Sequence, residues 1–210
     1  MKKKALNVTI LSLLMIVLAS TAIVGGTYAL WSSETKVESH LTSGNLKIKL
    51  ERTNLTKCNV NQETGYLATT TNNDVIDFTN SSSTNSNIFG IENGELIVPG
   101  SYYEATLKLS NNGTVAFDYV ISLSLKDTLE TTLAKQINVY FDDVEKGYLY
   151  NETNNSSYEL KTGIMSKKDT YSFKVKVEFK NLENVTNNLA MDKDTKFDLK
   201  VVATQKNNKN

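Results

Sequence analysis

The sequence contains few of the residues on which enzymes and disulfide-bonded proteins depend. Its 210 residues include one cysteine, one histidine, one tryptophan and one proline. The single cysteine, Cys58, leaves the fold without an internal disulfide. The single histidine, His40, cannot supply the two ligands of an H-E-x-x-H zinc site, and no glycine-rich phosphate loop or G-x-S-x-G motif occurs. We therefore expect a protein that has no cofactor and is not an enzyme.

The first 29 residues have the composition of an export signal. Lysines at Lys2–Lys4 precede an almost wholly apolar stretch at 5–24, and small residues follow it. This layout is typical of a cleaved signal peptide. The run is also long enough to span a bilayer, so a retained anchor is the alternative. We predict cleavage after Ala29, a secreted or cell-surface protein, and a mature form that does not span the membrane. The predicted peptidase site consists of Thr27, Tyr28 and Ala29.

The charge of the processed chain is weakly negative. Basic and acidic residues are equal in number, at 23 each, and cleavage would remove three lysines, leaving 20 against 23 and a net charge of −3. Nucleic-acid binding needs a concentrated positive field, so no nucleic-acid partner is expected. The remaining chain is long enough for one well-cored domain, which we place at 42–205. Residues 206–210 are predicted to form a disordered tail.

Alternation of apolar and polar residues is the main structural signal. Successive side chains on a strand point to opposite faces, so each alternating segment has one apolar face. Such sheets pack their apolar faces together, which predicts an all-β fold of antiparallel β-sandwich type. The apolar positions are Leu46, Ile48 and Leu50; Tyr103, Ala105, Leu107 and Leu109; Val115, Phe117, Tyr119, Ile121, Leu123 and Leu125; Tyr171, Phe173, Val175, Val177 and Phe179; and Phe197, Leu199, Val201 and Ala203.

Turns, a helix and an insertion are predicted between these segments. Pro99-Gly100 and Asn111-Asn112-Gly113 have the composition of tight turns, the latter with positive φ angles. Residues 127–136 carry an N-cap pattern and two leucines four residues apart, which predicts one short helix. Residues 53–87 are rich in Asn, Thr and Ser and are predicted to be a polar insertion. Its only candidate strand is a short one at Val75, Ile76 and Phe78.

Pairs of acidic residues are the only candidates for a metal site. They occur at Asp74/Asp77, Asp142-Asp143 and Asp192/Asp194. Carboxylates of this kind could hold calcium, and Asp192/Asp194 is the best of the three. Aspartate is also favoured in turns for its backbone hydrogen bonds alone, and that interpretation is preferred for all three. For Cys58, an unreactive thiol in a polar loop is preferred over an intermolecular crosslink.

Residues 30–41 form an extended segment directly after the predicted cleavage site. Trp31, Val37 and Leu41 have the same parity, so they would share one face of a strand. Such an arm can add to the sheet edge of a neighbouring subunit, and head-to-tail repetition then gives an open filament. The residues equally allow the segment to be the first strand of its own sheet.

Four segments, taken in order, resemble the TasA/camelysin family. They are GTYALWSS at 26–33, LTSGNLKI at 41–48, VPGS at 98–101 and LKLSNNGT at 107–114. The order and spacing of these motifs carry the resemblance, which covers most of the mature chain outside 53–87. Ser101 departs from the pattern, since the family often has Asp there.

The resemblance implies a jelly-roll-like sandwich exported through a SipW-type signal peptidase that cuts near Ala29. It also implies a biofilm-matrix fibre in which the arm of one subunit completes the sheet of the next, with the chain itself as partner. That favours donor-strand assembly for the arm. Some family members carry a metalloprotease label, so a camelysin-like surface protease is one alternative, and a surface adhesin is another. The residues assigned to the assembly arm are Leu30, Trp31, Val37 and Leu41.

Overall fold

The computed structural model describes residues 30–40, 45–61, 64–79, 87–91, 97–126, 131–150, 157–182, 189–190 and 193–205, with backbone alone for 30–40 and 158. Strands dominate this part of the chain. In chain order they are β1 (Leu30–His40), β2 (Ile48–Val60), β3 (Leu67–Asn72), β4 (Ile76–Asp77), β5 (Tyr102–Asn111), β6 (Phe117–Leu125), β7 (Ile137–Phe141), β8 (Val144–Tyr148), β9 (Ser157–Met165), β10 (Thr170–Phe179) and β11 (Asp194–Gln205).

The strands form two sheets. The four-stranded sheet has the order β1-β11-β6-β9, and the seven-stranded sheet has the order β3-β2-β5-β10-β7-β8, with β4 also paired to β2. Neighbouring strands are antiparallel throughout, except that β1 runs parallel to β11. The antiparallel pairs follow from the alternating segments, each of which has one apolar face to bury.

One hydrophobic core lies between the two sheets. The inner residues of β5, β6, β10 and β11 are buried as the alternation predicts. Ring contacts link the layers, since Tyr119 of β6 stacks on Tyr171 of β10 with ring centroids 5.9 Å apart. Phe89 and Phe197 of β11 meet at the same centroid distance. The predicted all-β sandwich is therefore confirmed. Fully buried members include Leu107, Leu109, Ile121, Leu123, Val175, Val177, Leu199 and Val201.

The segment at 53–87 differs from the predicted polar insertion. β2 continues to Val60, and β3 forms a hairpin with it in which Leu55 pairs with Asn72 and Val60 with Leu67. The short strand expected near Ile76 is present as β4. All six residues of β3 are exposed. Because neither face of this threonine-rich strand is buried, its sequence lacks the apolar alternation that marks the other strands. Residues 80–86 lie outside the described residues.

The predicted helix is also different in the part that the structure describes. Residues 134–136 form a single turn of 3₁₀ helix, and 127–130 lie outside the described residues. The backbone N–H of Gln136 donates to the carbonyl of Leu133 at 2.9 Å. The carbonyl of Gln136 already accepts from the N–H of Lys180 at 3.0 Å, next to the point where β7 begins to pair with β10. The chain thus joins the sheet ladder at Gln136, the residue at which the predicted helix would end.

The two predicted turns lie where expected, for different reasons. Gly100 has φ +92°, a conformation that glycine adopts at little cost. Gly113 is not among the residues with positive φ. Its need for glycine is steric, because a Cβ atom there would overlap the carbonyl oxygen of Asn45 and lie 2.7 Å from the backbone nitrogen of Lys47.

Candidate functional site

The outer edge of the four-stranded sheet is the candidate assembly site. β1 lies at the end of that sheet and has β11 as its one neighbour within the described strands. The two strands pair in parallel along the whole of β1, from Leu30 opposite Asp194 to His40 opposite Thr204. The arm predicted from the sequence is therefore a strand, and it lies on the sheet of its own chain.

The register relates the predicted arm residues to the core. Val37 pairs with Val201 and Trp31 pairs with Thr195, and both of these β11 residues are buried. Leu30 pairs with Asp194, which is exposed. Leu41 lies outside the described residues, as do Thr27, Tyr28 and Ala29 of the predicted peptidase site.

β11 is held firmly on its other side. It pairs antiparallel with β6 from Phe197 opposite Leu125 to Gln205 opposite Phe117. Its inner-face residues Phe197, Leu199 and Val201 are fully buried. β11 thus belongs to the core, whereas β1 is an addition to its edge.

Cys58 and His40 lie on strands of different sheets. Cys58 is a half-buried free thiol within β2, opposite Tyr102 of β5 and Thr69 of β3. The predicted loop position for this cysteine is wrong, because β2 extends further than the composition indicates. His40 is the last residue of β1.

Of the acidic pairs, Asp142-Asp143 forms the turn between β7 and β8, with φ +48° and +63°. One carboxylate oxygen of Asp142 accepts the backbone N–H of Lys174 at 2.8 Å, and the other accepts the hydroxyl of Tyr171 at 3.0 Å. Burial, followed by the hydrogen bond to this carboxylate, raises the pKa of Tyr171 well above its ordinary value. These contacts give Asp142 a structural role in joining the turn to β10.

We expect Asp142→Ala to lower the free energy of unfolding by about 2 kcal/mol, since it removes two hydrogen bonds and places alanine at a positive φ that aspartate tolerates better. Asp142→Asn is the matched control, because asparagine tolerates positive φ and retains one acceptor oxygen, so its loss should stay below about 1 kcal/mol. Urea denaturation monitored by circular dichroism measures both. Equal losses for the two variants would contradict the assigned role of the carboxylate.

Of the other two acidic pairs, the structure describes Asp74, Asp77 and Asp194. Asp77 in β4 lies 3.5 Å from the ammonium of Lys49. Burial alone would raise the pKa of Asp77, but hydrogen bonds from Thr79 and the charge of Lys49 lower it. Asp194 begins β11, and Asp192, the other member of the best calcium candidate, lies outside the described residues.

Within the ranges given above, His, Cys, Asp and Glu side chains form no group of three or more that could hold a metal ion. In the same part of the chain, no helix is both long and apolar enough to cross a bilayer.

One polar site in the structure is not among the residues predicted from the sequence. Arg52 lies on β2 and is buried, with 4% of its surface exposed. The alternation of Leu46, Ile48 and Leu50 would place residue 52 on the same inner face, so an arginine there was a signal that could have been recognised. A charged residue in a core-facing register is unusual unless it has a partner.

Comparisons with known proteins add little. No family model matches the chain, and no curated protein matches it. Among solved structures, it is similar to a β-glucosidase from Kluyveromyces marxianus at 15% identity, with a TM-score of 0.28. The similar region covers 73% of this chain and 14% of that protein. A likeness this distant carries no argument about fold or activity.

Proposed function

We propose that the chain is a secreted structural subunit of an extracellular, biofilm-type matrix fibre, in which β1 of one subunit pairs with β11 of the next. The observation that carries this proposal is the position of β1. It is an edge strand that pairs with β11 along its full length, and β11 is its one neighbour among the described strands.

An edge strand next to the predicted cleavage site can be exchanged without disturbing the core. β1 and β2 belong to different sheets, and residues 41–47 connect them. If this connection extends outward, β1 can reach the same edge on a neighbouring subunit, and the vacant β11 accepts the arm of another. The contact is head-to-tail, so it repeats without closing.

The composition of β1 suits an exchangeable strand. Its eleven residues include three apolar ones, Leu30, Trp31 and Val37. The backbone ladder must therefore provide much of its affinity, as in other cases where a strand is added to a sheet edge. A strand held in this way can leave its own sheet at a lower cost than a core strand such as β6.

A disulfide between register partners tests the exchange. In a Cys58→Ser background, Val37→Cys and Val201→Cys place thiols on residues that face each other across the β1–β11 pair. Adjacent strands are about 4.8 Å apart, within the range that a disulfide spans. After filaments form and are oxidised, exchange predicts a ladder of covalent multimers on a non-reducing gel, and reductant collapses it to monomer.

The matched control combines Val37→Cys with Thr195→Cys. These positions are six residues out of register, a separation of about 20 Å, so no ladder should form. If the registered pair gives oxidised monomer alone although filaments are visible by negative-stain electron microscopy, β1 remains on its own subunit and the exchange is disproved. Casein degradation by the same filaments would instead support the protease alternative.

A further inference from the structure

A pocket of about 450 Å³ opens where the β2–β3 hairpin meets the turn at 88–90. It is lined by Arg52, Leu55 and Lys57 of β2, by residues 70–72 of β3 and by Gly90. Two cations, two threonines and an asparagine make this a polar pocket. It lies in the other sheet from β1 and has no part in the proposed assembly.

A β-bulge in β2 brings the pocket residues of that strand together. The pairing with β5 shifts by one residue between Arg52 and Asn54. Before the shift, even-numbered residues such as Leu50 and Arg52 are buried, and after it the buried residue is Leu55. Bulges commonly redirect side chains next to functional sites. Here the bulge allows Arg52 and Lys57, five positions apart, to line one pocket.

The guanidinium of Arg52 uses little of its hydrogen-bonding capacity. Nη1 donates to the carbonyl of Ile88 at 2.8 Å. Nε is buried and has no partner among the described residues, and no hydrogen bond of Nη2 occurs in this part of the chain. Nε and Nη2 form one edge of the planar group, the edge that binds both oxygens of a carboxylate.

A purely structural role for Arg52 accounts for part of this arrangement. Arg52 holds the carbonyl of Ile88, and Lys57 holds that of Gly90 at 2.6 Å, so both secure the turn. One hydrogen bond to a neutral carbonyl is poor compensation for burying a guanidinium. Burial accordingly lowers the pKa of Arg52, an effect that the charge of Asp74 partly offsets.

Gly90 keeps the space beside the guanidinium open. Its φ is +55°, and a Cβ atom there would lie 3.3 Å from Nη1 and 3.8 Å from Nη2 of Arg52. Most other side chains would therefore crowd the pocket at this position. The backbone conformation and the open space both favour glycine.

The net charge of the residues in and near the pocket indicates what charge a bound anion should carry. Arg52 and Lys57 contribute two positive charges, and the nearby Asp74 contributes a negative one, which leaves a single positive charge. That balance suits a monoanion better than a doubly charged phosphate. The lining at 70–72 adds hydroxyl and amide groups, which match a ligand rich in hydroxyls.

We propose that this pocket binds a sugar acid, with the carboxylate of a uronate on the Nε and Nη2 edge of Arg52 and its hydroxyls facing Thr70, Thr71 and Asn72. Lys57, further along the same strand, adds a second positive charge to the pocket. The ligand would supply the hydrogen-bond partner that Nε lacks.

Titration with sodium glucuronate tests the proposal on the protein expressed from the complete chain and purified as the cell processes it. We expect weak, saturable binding by calorimetry and a shift of the Arg52 Nε–H resonance in NMR spectra of the unaltered protein. Glucose has similar hydroxyls without the carboxylate and should not bind. If glucose binds equally well, or acetylated glutamate binds more tightly than glucuronate, the assignment to a sugar acid is wrong.

Arg52→Lys keeps the positive charge and a hydrogen-bond donor, but it loses the two-nitrogen edge. We expect its dissociation constant for glucuronate to rise at least about tenfold, the effect of losing a charge-assisted hydrogen bond. Lys161→Met removes an exposed cation of β9 and is the matched control, which should bind normally. Unchanged binding by Arg52→Lys would overturn the proposal. If that variant fails to fold, the Nε–H shift in the unaltered protein decides the question alone.

Discussion

Deletion of residues 30–40 is expected to abolish filament formation while the two-sheet core stays folded. Every core residue among those whose burial the structure describes lies elsewhere in the chain, and β1 contacts the sheet along one edge of β11. The truncated protein should therefore keep its strand signal in circular dichroism and melt cooperatively. Its melting temperature should be lower because β11 has lost β1, one of its two neighbouring strands. Negative-stain electron microscopy would show dispersed particles in place of filaments.

The missing strand can also be supplied to the truncated protein as a separate peptide. A peptide with the sequence LWSSETKVESH should bind the truncated protein with one-to-one stoichiometry and restore its thermal stability without restoring filaments. At a free concentration 100 times its dissociation constant, such a ligand adds about 2.7 kcal/mol of stability. The control peptide carries proline at the positions of Thr35 and Lys36. Adjacent prolines remove donors on both sides of the strand, so one of them must face β11.

Two outcomes would refute the role of β1. Filaments that form equally well from the truncated protein would mean that assembly uses another surface. Equal stabilisation by the native and proline-containing peptides would mean that binding does not depend on a backbone ladder.

Gly113→Ala is expected to lower the free energy of unfolding by about 3 kcal/mol, the upper end of the usual cost of overpacking. The added Cβ would overlap the backbone of Asn45 and Lys47, which cannot move as a flexible side chain can. The same backbone is held by hydrogen bonds from Asn112 N to Lys47 O at 2.7 Å and from Thr114 N to Asn45 O at 2.8 Å. Relief of the clash would break these contacts.

Asn112→Ala is the matched control within the same turn. Asn112 is exposed, so removal of its side chain should change the free energy of unfolding by less than about 0.5 kcal/mol. Chemical denaturation of both variants gives the comparison. A loss below about 1 kcal/mol for Gly113→Ala would show that the backbone at 45–47 can shift, contrary to the close packing described here.

The strands that line both sides of the core could be predicted from the sequence. At β5, β6, β10 and β11, apolar residues alternate over seven to nine positions, and a buried face leaves that pattern whatever its partner strand is. The order of the strands could not be predicted in this way. The alternation of apolar residues indicates which face of a strand is buried, but it does not indicate which strand is its neighbour in the sheet.

Other features left weaker signals in the sequence. β3 is exposed along its length, so its Thr and Asn residues resemble those of a loop. The parallel pairing of β1 with β11 joins residues more than 160 positions apart, which no local pattern specifies. The pocket at Arg52 depends on a bulge, and one inserted residue changes which side chains share a face. The proposed exchange of β1 remains a prediction for the experiments above.

The pairing of two different strands, β1 as donor and β11 as acceptor, determines what kind of filament an exchanged strand would build. Every junction would be identical and point the same way, so the filament would have two chemically different ends. One end would present a bare β11 and the other an unbound arm. Growth could then be stopped at one end alone by a short strand mimic, and a cell that displayed a vacant β11 edge could determine where fibres start and in which direction they extend.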